Sequence, residues 1–152
     1  MCIRDSRGSS LPTGWSTFTG EPGSDAGAQW ASSHVVVGGG VLELNASQDP
    51  TFNDEWVTGG LCQCGVSHTY GAYFVRSRLT GAGPTQVELL WPVGHSWPPE
   101  IDFDETYGGM NGSMATLHLS LIHISRVSSS VTSSLPPTFG SSEPLTRLTV
   151  RR

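Results

Sequence analysis

Lysine is absent from the sequence, and eight arginines stand against 13 acidic residues, which gives a formal net charge of −5. Nucleic acids and anionic membrane surfaces are bound through basic patches, so this charge balance argues against both as partners. No run approaches the roughly 18 apolar residues that a membrane-spanning helix requires. With 19 glycines and 10 prolines between short apolar runs, the composition favours a single all-β domain over a helical one.

Isoleucine is also scarce, and three of the four isoleucines lie in two unusual peptides. Residues 1–6 (MCIRDS) and 119–124 (LSLIHI) can be encoded by inverted copies of one DNA segment, which resembles the transposon end used in sequencing libraries. We therefore predict that 1–6 and 119–125 are adapter-derived, and we exclude them from the fold prediction. Residues 126–152 are rich in Ser, Thr and Pro and are left unassigned, as disordered linker or non-native sequence.

Cysteine is rare as well, and Cys2 lies in the first adapter-like peptide, which leaves Cys62 and Cys64. A bridge between strand residues two positions apart is badly strained, and no further native cysteine could complete a metal site. We therefore predict two small buried or free thiols and no metal site. Such thiols say little about the redox compartment.

Acidic residues, in contrast, are concentrated in residues 100–105 (EIDFDE), where four acids alternate in part with Ile101 and Phe103. Successive side chains of a β-strand point to opposite faces. The alternation therefore predicts a strand with acids on one face and with Ile101 and Phe103 packed behind it in a core.

In a regular strand, Glu105, the last acid of this stretch, would lie on the opposite side from Glu100 and Asp102. Glu105 joins Glu100 and Asp102 only if one extra residue is inserted between them. A β-bulge at Phe103-Asp104 inserts such a residue, and bulges are common beside active sites. The bulge would also displace Asp104 from the acidic face.

Two glutamates with this spacing suit a retaining glycosidase. The backbones of Glu100 and Glu105 would be roughly 13 Å apart, and inward-leaning side chains can reduce the carboxylate separation to roughly 5–5.5 Å. One carboxylate attacks the anomeric carbon while the other protonates the leaving oxygen. Asp102 between them would keep one neighbour protonated by like-charge repulsion. The alternatives are a solvated acidic strand or a loose calcium site.

Other stretches predict further strands. Residues 34–37 and 41–45 flank a glycine turn at 38–40 and predict a hairpin. Residues 70–79 alternate between two faces and predict a strand. The largely apolar run at 86–92 predicts a strand suited to burial.

Aromatic residues precede the acidic stretch. Trp97 is predicted to line the binding cleft, because loops carry binding residues and aromatic faces stack on sugar rings. Trp91 is a candidate for the same role, and packing in the core is an equally good interpretation of this residue. Beyond the acids, Asn111-Gly112 predicts a hairpin turn into a returning strand that begins at 114–118.

The pattern E-x-D-x-x-E, preceded by Trp97-Pro98-Pro99, resembles the catalytic signature of glycoside hydrolase family 16. This family contains endo-β-glucanases, laminarinases, agarases and carrageenases. Two further patterns resemble strands of the family: W-x-x-S-H-V-V-V-x-x-G-V-L-E-L at residues 30–44 and Y-G-x-Y-x-V-R-x-R at residues 70–78.

The resemblance implies a role for each matching residue. Glu100 matches the nucleophile, Asp102 the assisting carboxylate and Glu105 the general acid/base. Thr116 and His118 match a T-x-H element beside the cleft. His118 is therefore expected to hydrogen-bond a catalytic carboxylate and to belong to the substrate-binding face with Trp91 and Trp97.

The resemblance also implies an all-β jelly-roll sandwich of the concanavalin-like type. Residues 7–118 would be an incomplete, N-terminal part of it, because such domains run to ~200–250 residues. The implied activity is retaining endo-hydrolysis of a polysaccharide, with a β-1,3 or β-1,3-1,4 glucan expected. The parent enzyme is expected to be secreted and monomeric and to need no cofactor. Family members often carry a structural calcium, for which no ligand set is visible here.

Two alternatives remain beside this interpretation. A non-catalytic carbohydrate-binding β-sandwich would keep the aromatic residues without needing three acids in register. An inactive truncated assembly product is the other, because a sandwich cut within a sheet leaves an open apolar face and unpaired edges. We expect the chain as written to be inactive or aggregated.

Overall fold

The structure is a computed structural model, and it describes residues 8–23, 27–94, 96–106, 112–120, 123–129 and 146–150. Apart from two short 3-10 helices, all regular structure in these ranges is β-strand, so the all-β prediction is confirmed. Within the same ranges, no helix has the length and apolar character needed to cross a membrane. The predicted turn at Asn111 lies outside the described residues.

The strands are, in chain order, β1 Ser16–Thr17, β2 Ala28–Trp30, β3 Val35–Gly38, β4 Val41–Asp49, β5 Glu55–Thr58, β6 Leu61–Cys62, β7 Leu79–Thr80, β8 Val87–Leu90, β9 Glu100–Glu105, β10 Ser113–Ser120, β11 His123–Ser129 and β12 Thr146–Val150. The 3-10 helices are Ser32–His34 and Pro50–Phe52. The chain forms two compact units, the first containing β1–β7 with β12 and the second containing β8–β11.

In the first unit, the nine-residue strand β4 is the centre of a six-stranded sheet. Strands β3 and β5 pair with successive halves of β4, and β12 pairs with it as well. Val57 of β5 is fully buried and Ala46 of β4 is 6% exposed, so the apolar core of this unit lies where β4 and β5 pair.

The glycine-turn hairpin is confirmed, with a turn that is shorter than predicted. Gly38 pairs with Val41, which leaves only Gly39 and Gly40 in the turn. Both have positive φ, 58° and 78°. A two-residue hairpin turn with positive φ at both positions matches the twist of the strands it joins, and glycine adopts it at no steric cost.

The prediction of free thiols is wrong, because Cys62 and Cys64 form a disulfide. The strain argument assumed that both residues lie on one strand, but β6 ends at Cys62 and the chain turns at once. Their Cα atoms are 5.1 Å apart, within the usual span of a disulfide.

The strand predicted at residues 70–79 is also wrong for most of its length. Only Leu79 belongs to a strand, as the first residue of β7, and residues 71–78 have no regular structure. Tyr70 is 90% exposed and Phe74 is 93% exposed. Alternation gives a segment two faces, but a strand also needs a neighbouring backbone to bond to, and for this segment the described ladder is confined to Leu79–Thr80 with β12.

The second unit is an antiparallel four-stranded sheet in the order β11-β10-β9-β8. Strands β8, β9 and β10 correspond to the predicted apolar run, acidic strand and returning strand. Strands β10 and β11 extend into residues 119–125, and β12 lies within 126–152. The adapter origin of 119–125 and the non-native origin of 126–152 stay predictions.

Candidate active site

The acid-bearing strand β9 carries one residue more than β10 between matching positions. Glu105 lies opposite Met114, and Asp102 lies opposite Thr116. Three residue steps on β9 therefore oppose two on β10. The surplus residue lies between Asp102 and Glu105, where the sequence predicts a bulge.

The other neighbour of β9 places the surplus residue more closely. On β8, Glu88 lies opposite Asp104 and the next residue, Leu89, lies opposite Asp102. Phe103 is thus passed over by the ladder. Both flanking strands agree, and the predicted β-bulge at Phe103-Asp104 is confirmed.

The bulge decides which acids share a face. Residues directly opposite each other in an antiparallel pair project to the same side of the sheet, and alternate residues of one strand share a side. Alternate residues of β10 lie opposite Glu100, Asp102 and Glu105. All three acids therefore project from one face, which we call the acidic face.

The apolar residues between the acids are less buried than expected. Ile101 is 42% exposed, so its predicted packing in a core is wrong, while Phe103 is half-buried. Alternation determines the side of the sheet on which a residue lies. It does not determine whether anything covers that side.

Glu100, at the start of β9, is held by an indole. The Nε1–H group of Trp97 donates a hydrogen bond of 2.6 Å to Oε2 of Glu100. Trp97 is 36% exposed, and its ring centroid is 5.8 Å from that of His118. Trp97 therefore borders the acidic face, where the sequence predicts it. Its hydrogen bond to Glu100 was not predicted, although a spacing of three residues before the acid was visible.

Asp102, in the middle of the acidic face, is 3% exposed and pairs with His118. The His118 Nε2 atom lies 3.0 Å from Oδ2 of Asp102, and the imidazole donates when Nε2 carries the proton. The expectation that His118 hydrogen-bonds one of these carboxylates is confirmed. Among the described residues, Oδ1 of Asp102 and Nδ1 of His118 are buried without a hydrogen-bond partner.

Glu105, at the end of β9, is held by a hydroxyl. The Thr116 Oγ1–H group donates to Oε2 of Glu105 at 3.3 Å, and Thr116 is 2% exposed. The next residue, Thr106, is buried and exchanges two hydrogen bonds with the backbone of Gln86. The sequence pattern pointed to Thr116 but gave it no contact, because the partner of Thr116 depends on strand register.

The electrostatics of the acidic face centre on Asp102. The pKa of Asp102 is raised from 3.8 to about 6, first by burial and next by the neighbouring negative charge of Glu100. The hydrogen bond from His118 acts in the opposite direction. Asp102 can therefore keep its proton in weakly acidic solution.

Trp91 follows β8 directly and is 48% exposed. It is therefore not packed in a core in this structure. Its predicted role in binding sugar stays a prediction.

One further arrangement lies on the acidic face. A carboxylate oxygen of Glu100, one of Asp102 and a ring nitrogen of His118 all lie within 4.8 Å of one another. Oxygen and imidazole nitrogen are both metal ligands, so within the described part of the chain these three residues form a group that could hold a cation.

The fold is similar to those of two solved glucanases. The endo-β-1,3-glucanase from Pyrococcus furiosus matches with a TM-score of 0.65 and 19% identity, over 86% of this chain and 60% of that chain. The laminarinase from Flavobacterium sp. UMI-01 matches with a TM-score of 0.62 and 15% identity, over 95% of this chain and 84% of that chain.

The likeness shows the fold. The predicted jelly-roll architecture is confirmed, and the chain spans about 60% of the length of the Pyrococcus enzyme. No protein-family model matches the sequence. A search of curated proteins finds no match either.

Proposed function

We propose that the acidic face is the active site of a retaining endo-glycosidase, with Glu100 as nucleophile, Asp102 as assisting carboxylate and Glu105 as general acid/base. The observation that carries the proposal is the bulge in β9, because it brings both glutamates to one face of the sheet. Two carboxylates on one face, on either side of a bound sugar, are what double displacement at an anomeric carbon requires.

In the first step, an oxygen of Glu100 attacks the anomeric carbon and the glycosidic bond breaks. Glu105 gives its proton to the departing oxygen, and a glycosyl ester forms on Glu100. The Trp97 hydrogen bond to Oε2 fixes the orientation of the Glu100 carboxylate and leaves its other oxygen for attack. In the second step, Glu105 takes a proton from water, which attacks the ester and restores the original anomeric configuration.

Asp102 couples these steps through charge. In the free enzyme, the negative charge of Glu100 helps to raise the pKa of Asp102. Esterification of Glu100 removes that charge, so Asp102 then holds its proton less tightly and becomes the main negative charge beside the sugar. His118 and Thr116 keep Asp102 and Glu105 oriented through both steps.

The substrate that we propose is a β-1,3 or β-1,3-1,4 glucan. The fold likeness to an endo-β-1,3-glucanase and a laminarinase supports this choice. The exposed rings of Trp91 and Trp97 are the proposed walls against which sugar rings stack. A polymer of this kind lies outside cells, so we propose a secreted monomer whose reaction uses no cofactor.

The proposal concerns the whole enzyme to which residues 7–118 would belong, and the test is made on that protein. Its product from laminarin or lichenan is followed by proton NMR within the first minutes. We expect the β-anomer to appear first and Glu100→Gln to abolish hydrolysis. Initial release of the α-anomer, or full hydrolysis by Glu100→Gln, would contradict the assignment.

The same proteins separate hydrolysis from mere binding. If the wild type binds laminarin without cleaving it, and Glu100→Gln binds equally well, the non-catalytic alternative is correct. The 152-residue chain is assayed beside them, and we expect it to be inactive.

A further inference from the structure

Besides the two glutamates of the proposed reaction, the acidic face contains a cluster of possible metal ligands. The three ligand atoms from Glu100, Asp102 and His118 form a cluster in which none is more than 4.8 Å from another. We propose that this cluster binds one Zn²⁺ ion, and that zinc bound there competes with the sugar. The proposed hydrolysis requires no metal, so zinc binding can be measured separately from it.

The buried carboxylate of Asp102 gives a reason for a cation to bind. Asp102 is 3% exposed, and its Oδ1 atom is buried without a hydrogen-bond partner among the described residues. A buried carboxylate oxygen that lacks a donor carries a desolvation cost that nothing offsets. A cation bound by this carboxylate would bring positive charge close to both of its oxygens, and it would reduce the repulsion between Asp102 and Glu100.

The ligand types favour zinc over calcium or magnesium. Calcium and magnesium take six or more oxygen ligands, and an imidazole nitrogen is a poor ligand for either. Zinc binds nitrogen and carboxylate oxygen together. Three protein ligands with a fourth position for water are a common zinc arrangement.

One pair of ligand atoms in the cluster already has a separation near that of a zinc site, and the Glu100 oxygen lies within 4.8 Å of both. With zinc–ligand bonds of about 2.0–2.2 Å, two ligand atoms of a tetrahedral site lie about 3.3–3.5 Å apart. The Nε2 atom of His118 and Oδ2 of Asp102 are 3.0 Å apart, so zinc would replace the proton that they share. Glu100 completes the set by a small side-chain movement.

A zinc ion bound at the cluster would also be coordinated by Glu100, the proposed nucleophile. Once an oxygen of Glu100 binds the ion, its lone pair is no longer directed at an anomeric carbon. Zinc and sugar therefore exclude each other.

The test is direct zinc binding, measured without substrate. The protein used is the soluble monomeric fraction of the full chain with Cys2→Ser, which removes the one cysteine outside the disulfide. This monomer is titrated with Zn²⁺ against a chromophoric chelator. We expect one equivalent to bind, and both His118→Gln and Glu100→Gln to weaken binding at least roughly tenfold, the lower end of what even outer-sphere partners of a metal contribute. An excess of Ca²⁺ should not displace the ion.

Matched controls come from the same chain. His68→Gln removes an exposed imidazole of the first compact unit, and Asp104→Asn removes a neighbouring charge on β9. Both should leave zinc affinity within about twofold of the parent. Substitution by Co²⁺ gives an independent signature, since a tetrahedral site with one nitrogen ligand produces visible absorption bands.

Three results would overturn the proposal: no stoichiometric zinc binding, binding that survives both His118→Gln and Glu100→Gln, or equal loss in His68→Gln. Circular dichroism identifies a variant that does not fold. Should His118→Gln fail to fold, Glu100→Gln decides, because it keeps the side-chain volume. Hydrolysis of glucan does not enter any of these results, so the zinc site and the proposed activity can fail separately.

Discussion

Strand β9 and residues 70–78 are two segments with alternating side chains and opposite outcomes. Strand β9 is hydrogen-bonded on both edges, by β8 and by β10. Residues 71–78 have no regular structure, and Phe74 is 93% exposed. The difference lies in the neighbours and not in the segments. A β-strand is formed by the backbones beside it, and alternation only determines what it presents once formed.

The two segments also differ in how their side chains are held. Glu100 accepts a hydrogen bond from Trp97, and Glu105 accepts one from Thr116. Asp102 pairs with the imidazole of His118. In the other segment, Tyr70 and Phe74 project almost entirely into solvent. Substitutions in β9 should therefore affect chemistry and stability, whereas those at the exposed Tyr70 and Phe74 should affect neither by much.

The largest contrast is expected from removing the proposed nucleophile. In the whole enzyme, Glu100→Gln should reduce glucan hydrolysis by a factor on the order of 10⁴ or more, because the amide cannot form the glycosyl intermediate. Reducing-end release from laminarin measures the loss. Phe74→Ser, in the exposed segment, is the matched control and should retain activity. A loss under tenfold in Glu100→Gln would remove Glu100 from the mechanism.

The bulge can be tested by deleting its surplus residue. Deletion of Phe103 should turn Glu105 away from the acidic face and reduce hydrolysis roughly 10²–10⁴-fold, the usual contribution of a general acid. Glu105→Gln should show the same loss. Both losses should shrink with an aryl glycoside whose leaving group needs no proton. If deletion of Phe103 leaves polysaccharide hydrolysis intact, the bulge has no functional role.

The acidic face should also make stability depend on pH. The pKa of Asp102 is raised to about 6 in the folded state, so the folded chain binds this proton more tightly than the unfolded chain. The free energy of unfolding should therefore decrease as pH rises from about 4 to about 6, by at most roughly 3 kcal/mol. Asp102→Asn should flatten this decrease. Urea denaturation from pH 4 to 8, with a chelator present, measures both proteins, and parallel curves would contradict the assignment.

The smallest effect is expected in the exposed segment. Phe74→Ser should change the free energy of unfolding by no more than about 0.5 kcal/mol, because Phe74 loses almost no buried surface. Val57→Ala, in the same compact unit, should cost roughly 2 kcal/mol, since Val57 is fully buried. Urea denaturation compares the two. Equal costs would mean that residues 70–78 pack against the rest of the protein.

The sequence predicted features that depend on local geometry. Glu100, Asp102 and Glu105 can share one side of a strand only if it contains one extra residue between them. Both neighbouring strands leave such a residue unpaired. The glycines at 39 and 40 indicated a tight hairpin turn. The family resemblance led us to expect a hydrogen bond from His118 to one of the carboxylates. The structure identifies that carboxylate as Asp102, 16 positions away in the sequence.

Features that depend on neighbouring strands, or on where a strand ends, were missed. Exposure of Ile101 follows from what covers its side of the sheet, which the alternation in β9 does not contain. The hydrogen bond from Thr116 to Glu105 follows from the register of β10 against β9. The disulfide between Cys62 and Cys64 follows from the end of β6 at Cys62, a boundary that the two-residue spacing did not reveal.

The three acids of the proposed site are supplied by one continuous strand, and two of the residues that orient them come from the strand beside it. If the proposed activity holds, the reacting groups are therefore held by two adjacent strands. Substitutions in the loops around these strands should then change polymer preference without moving the three acids.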